Sequence, residues 1–108
     1  GKVARFTFDE LCVKYLGSTD YIALCKHFTM LIIENIPQLK FDNHNEALRF
    51  ITLIDCMYDK KIVGIFSAKT ELDKLYIGKI HRTEFERTIS RIYEMQSDEY
   101  LQHSLFYK

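Results

Sequence analysis

The 108-residue sequence has no tryptophan, one proline, four glycines and three cysteines. It also has no net charge, because 15 Lys and Arg offset 15 Asp and Glu. Each shortage excludes something. The charge balance removes the basic face on which nucleic-acid binders depend and the polybasic basis for membrane attachment. No apolar run approaches the ~20 residues that span a bilayer. Gly1 opens a polar, strand-like segment rather than a signal peptide. So few glycines and prolines do not suit a loop-rich secreted scaffold, and Cys12, Cys25 and Cys56 show neither an even count nor CxxC spacing. They read as reduced, buried thiols acting as small hydrophobes, the expectation for an intracellular protein.

Familiar chemistry is missing too. Glycines at 1, 17, 64 and 78 form neither GxxxxGK[ST] nor GxGxxG, so no phosphate cradle is expected in this chain. His27, His44, His81 and His103 share no metal-ligand spacing, and Ser67 has no GxSxG context. The sequence thus offers no catalytic and no metal-binding residue. Glu34 ends an apolar run, LIIEN, and resembles a strand-end acid that holds a metal. With no phosphate loop before it, a carboxylate facing solvent explains the pattern as well.

What the chain does have is 47% hydrophobic residues, 14% of all residues being aromatic, enough for one packed domain or part of one. Ala4, Phe6 and Phe8 alternate with Arg5 and Thr7, a strand with one buried face. Leu16 to Phe28 reads as a helix capped by Ser18 or Thr19, with Tyr21, Leu24, Cys25 and Phe28 in one stripe. Met30 to Ile33 is unbroken apolar sequence, as in a strand covered on both faces. Asn43 to Lys60 is a second helix with Asn43 and Glu46 close to a capping box. Its stripe is Ala47, Phe50, Ile51, Ile54 and Tyr58, widened by Leu53 and Met57. Ile62 to Ala68 is another buried run. Residues 69–82 read as a loop. Thr83 and Glu86 form a capping box for a long last helix with Phe85, Ile89, Ile92 and Tyr93 inward. The class is α/β: a small three-layer βαβ unit with about three mainly parallel strands, 30–35 beside 62–67 and crossed over by helix 43–60. So few strands leave an unpaired edge, which suggests a piece of a larger α/β domain.

The arginines carry the functional interest. Arg87 and Arg91 are four apart and share a helix face. Either Glu84, Glu94 and Asp98 solvate them as an ordinary ion-pair face, or they contact an anion or a partner subunit. Arg49 offers the same choice.

Three strings go further. Phe6, Phe8, Leu11, Cys12, Leu16, Gly17, Asp20 and Tyr21 make the first. Arg49, Phe50, Ile51, Leu53, Ile54, Asp55, Tyr58 and Asp59 make the second. Phe85, Arg87, Thr88, Ser90, Arg91, Glu94, Met95 and Gln96 make the third. In this order they resemble the C-terminal region of the ZapE family of AAA-like ATPases, which includes bacterial cell-division proteins and mitochondrial AFG-type relatives. Tyr15 stands where the family usually has Pro, and Leu48 where it has the first of two Arg. The resemblance implies that 1–108 is one C-terminal segment of a P-loop ATPase with its Walker motifs upstream. It implies ATP and magnesium for that longer protein and none for this segment alone. It also implies protein partners: division-ring proteins in the bacterial cytoplasm, or membrane proteins under quality control in mitochondria. Assembly of the longer protein with itself and peripheral membrane association fit the same picture. Arg87, Arg91 and Arg49 become candidates for inter-domain or partner contact. The alternative is a non-catalytic interaction module that docks through an arginine face or a sheet edge.

Overall fold

A computed structural model describes residues 2–106, with side chains through Ser104. Strand β1 (Val3–Thr7) leads through a single π-helical turn (Asp9–Val13) to helix α1 (Ser18–His27). Strand β2 (Met30–Ile36), helix α2 (His44–Asp59) and strand β3 (Val63–Ala68) follow. Helices α3 (Arg82–Met95) and α4 (Asp98–Phe106) close the chain. The sheet order is β1-β2-β3 and both pairings are parallel. β2 and β3 are neighbours across α2, the βαβ unit expected from the sequence.

The core lies on one face of this sheet. Leu31, Ile33 and Ile36 point into it beside Tyr21 and Cys25 of α1 and Ala47, Phe50, Leu53, Ile54 and Met57 of α2. Phe50 is its hub, with ring centroids 6.0 Å from Phe8 and 5.9 Å from Phe85. The layering departs from the three-layer expectation. Both helices lie on the same side, because crossovers of one hand along an unreversed strand order must. Among the described residues the opposite face is left largely open, with Val3 54% and Ile65 48% exposed. Met30 and Ile32 are accordingly half-buried rather than buried.

Several local expectations are corrected. α1 is capped at Gly17, whose N–H donates to the Asp20 carboxylate at 2.9 Å, not by Ser18 or Thr19. Asn43 precedes α2 but its Oδ1 accepts from Lys40 N at 2.9 Å, so no capping box forms with Glu46. α3 begins one residue before Thr83, with His81 left-handed at φ 62° and its Nδ1 3.3 Å from Glu84. The single last helix is two: the Ser97 hydroxyl accepts from Tyr100 N at 3.2 Å and starts α4 anew. Tyr93 is 53% exposed, while Thr88 and Met95 take the buried places. Thr88 tolerates burial because its hydroxyl donates to the Glu84 carbonyl at 3.1 Å. The 69–82 stretch is less loose than read: Leu75 and Tyr76 are buried, and Leu39 pairs with Tyr76 in a short parallel bridge.

Candidate inter-helix arginine site

The end of α2 sets the geometry. Lys61 N–H donates to Tyr58 O at 3.2 Å and Ile62 N–H to Met57 O at 2.9 Å. This is a Schellman ending, with Lys61 left-handed at φ 56° where glycine is the usual occupant. Met57 and Ile62 are both fully buried, which supplies the apolar contact of that motif. The turn directs the Lys61 ammonium over the rings of Tyr58 (4.6 Å) and Tyr100 (5.3 Å). Those two rings stack, with centroids 6.1 Å apart. Tyr100 Oη reaches Ile62 O at 2.7 Å, which ties α4 to the start of β3.

Arg91 of α3 enters this cluster. Its Nη1 donates to Asp55 Oδ1 of α2, and its guanidinium lies 5.0 Å from the Tyr58 ring centroid. Tyr58 Oη donates to Glu94 at 2.5 Å, and this bond raises the phenol above its ordinary pKa. Arg91 therefore joins α3 to α2 through a carboxylate and a ring. Its side chain is 30% exposed and that of Asp55 43%, so the pair is worth at most about 1 kcal/mol. The cleft beside it is lined by Lys61 and His103 together with Glu94 and Glu99. Such a mixture does not select an anion.

The structure does not bring the three candidate arginines together. Arg49 lies at the other end of α2. Its Nη1 donates to Cys12 O at 3.0 Å, and its guanidinium sits 5.2 Å from the Tyr15 ring, which is 94% exposed. With Tyr21 Oη donating to Leu11 O at 2.7 Å, Arg49 satisfies carbonyls that a lone π-turn leaves without helical partners. Arg87 is exposed on α3. Sequence reasoning missed the turn at Asp9–Val13, although Phe8, Leu11 and Cys12 at i, i+3 and i+4 have helical spacing. It also missed Asp55 and Tyr58 as Arg91's partners, because their meeting needs two helices to pack.

Burial pushes the Cys12 thiol up to about 12 and also raises Cys56, so neither is an activated thiolate. Glu34 forms a bidentate pair with Arg5, Nε to Oε1 and Nη2 to Oε2 at 2.8 Å each, which lowers its carboxyl below the usual range. It serves the sheet surface. No group of three or more metal-ligating side chains lies together among the described residues. None of the described helices opens on a glycine-rich turn. No described helix is long and apolar enough to cross a membrane.

The family model of the AFG1-like ATPases matches residues 1–104. Among curated relatives, "Cell division protein ZapE" of Escherichia coli K12 is 38% identical over 95 residues, covering 88% of this chain and 25% of that protein. "Lactation elevated protein 1 homolog B" of Danio rerio is 30% identical, covering 93% of this chain and 26% of that one. "Uncharacterized protein C115.02c" of Schizosaccharomyces pombe is 34% identical over 76 residues, covering 70% and 17%. No solved structure matches. The chain spans about a quarter of the length of the first of these relatives. The motif strings in their order, the βαβ core that they build and the match over 1–104 place this chain in the AFG1-like ATPase family.

Proposed function

We propose that this chain is the C-terminal segment of a P-loop ATPase, and that the longer protein binds and hydrolyses ATP with magnesium. The observation that carries this reading is the family match across nearly the whole chain, set beside a sequence without a phosphate loop. The nucleotide motifs then belong upstream, and this segment contributes shape and contacts. The longer protein acts on protein partners, in bacterial cell division or in mitochondrial membrane-protein quality control, and it assembles with itself or associates peripherally with membrane. The likeness to "Cell division protein ZapE" favours the first setting. Arg87 is the residue that docks this segment on the nucleotide-binding part or a neighbouring subunit, because it is exposed while Arg91 and Arg49 serve contacts within the chain. A fork of donors suits a carboxylate or phosphate there.

The second reading, a non-catalytic interaction module, is favoured by the outer edges of β1 and β3, which are unpaired among the described residues. A fluorescent ATP analogue separates the two. Saturable binding to the longer protein and none to this chain supports the ATPase reading. A longer protein that binds no nucleotide overturns it. Arg87→Lys in the longer protein tests the docking residue. It is expected to lower the ATPase rate while leaving this chain's melting temperature unchanged, and an unchanged rate refutes it.

A further inference from the structure

The face of the sheet turned away from α1 and α2 is built to be covered. Strand register puts Val3, Met30 and Val63 in one row and Arg5, Ile32 and Ile65 in the next. Alternation along each strand keeps these rows on one face. Every member but Arg5 is apolar. Val63 is buried, Met30 and Ile32 are half-buried, and Val3 and Ile65 stand 54% and 48% exposed. Parallel sheets occur almost only with both faces covered.

Arg5 brings its own counter-charge to this face. Its guanidinium is held by Glu34 of the neighbouring strand through both nitrogen–oxygen bonds described above. Covering the pair strands no lone charge, so the covering surface needs no counter-charge. Three strands spaced at about 4.8 Å span about 10 Å between the outer two. That is the diameter of one helix, about 10–12 Å with its side chains.

The geometry points to one amphipathic helix, supplied by the part of the longer protein outside this chain, lying across Val3, Ile32 and Ile65 with an aliphatic, uncharged stripe. The inference rests on the reading of this chain as one segment of a longer ATPase. Relatives about four times as long supply ample chain for it. A second copy fits poorly. The face measures on the order of 200 Å², far below the ~800 Å² per partner of a stable complex. A helix tethered in the same chain needs no such area, because its effective concentration is high.

Thiol labelling tests this. Val3→Cys and Ile65→Cys are made separately, in a Cys56→Ser background, with Phe41→Cys as a control because Phe41 is 68% exposed. Maleimide labelling is timed on this chain and on the longer protein, and ATP-analogue binding is measured on the same longer-protein samples. The thiols at positions 3 and 65 are expected to react at least about tenfold more slowly in the longer protein, as for a site opened only by local unfolding. The thiol at 41 should react alike in both. Equal rates at 3 and 65 in the two proteins overturn the proposal. So does slow labelling already in this chain: relieved by dilution, it identifies a second copy as the cover, and otherwise the chain's own residues. A longer protein that binds nucleotide while its position-65 thiol stays reactive refutes the covering helix alone. A protected thiol without nucleotide binding refutes the ATPase reading alone.

Discussion

Ile54→Ala tests the packing of α2 on the sheet. Ile54 is 0% exposed and belongs to the core cluster that includes Leu31, Ile33, Phe50 and Met57. The change removes three carbon groups. At about 0.8 kcal/mol each, their transfer alone is about 2.4 kcal/mol. A cavity adds to this where the surrounding core cannot collapse into the space. The total expected is about 3–4 kcal/mol, inside the range of about 2–5 for buried aliphatic truncations. Each kcal/mol lowers the melting temperature of a domain this size by about 4–8 °C, so the chain should melt at least about 12 °C earlier. Urea denaturation gives the free energy directly, and an unchanged m-value is required for the comparison. Leu48→Ala is the control on the same helix. Leu48 is 42% exposed, and a surface change is expected to stay within about 0.5 kcal/mol. A loss below about 1 kcal/mol at Ile54, or equal losses at both positions, would refute the assignment of the α2 face.

Three further outcomes are expected. Tyr21→Phe removes the donor to the buried Leu11 carbonyl and should cost about 1–3 kcal/mol by urea melt; no loss would show that the π-turn does not need it. Lys61→Ala keeps the left-handed backbone while losing the ammonium over Tyr58 and Tyr100, so it should lose about 0.5–1 kcal/mol. Lys61→Gly should be more stable than Lys61→Ala, since glycine adopts that φ freely, and the reverse order would refute the Schellman assignment. The Cys12 thiol stays protonated up to about 12 in the fold, while the unfolded chain ionises near the ordinary thiol value of 9.0. The unfolded state therefore loses its proton first, and stability falls as pH rises from about 9 toward about 12. In Cys12→Ala the alkaline limb of a pH–stability curve should be shallower, and an identical limb would refute burial as its cause.

Periodicity alone determined much of this protein. Alternation at Ala4 and Phe6, the unbroken runs around Leu31 and Ile65, and the stripe from Ala47 to Met57 were enough for α/β and for β2 beside β3, although Phe8, read with the first strand, opens the helical turn instead. Those signals are local and repeat at 2 or 3.6 residues, so they survive in one dimension. Helix starts were less legible. Asn43 and Thr83 have the right spacing for caps, but a side chain takes whichever backbone donor is nearer in space, and for Asn43 that is Lys40 N. The incomplete cover of the second sheet face was not legible at all. An apolar run reads the same whether its second face meets a helix or solvent, and the unreversed order β1-β2-β3 decides which. The arginines show the same limit. Arg87 and Arg91 are equivalent by spacing, yet packing of α3 against α2 joins Arg91 to Asp55 and Tyr58 and leaves Arg87 exposed. Ring and carboxylate sit more than thirty positions away in sequence, and only the tertiary fold brings them within reach.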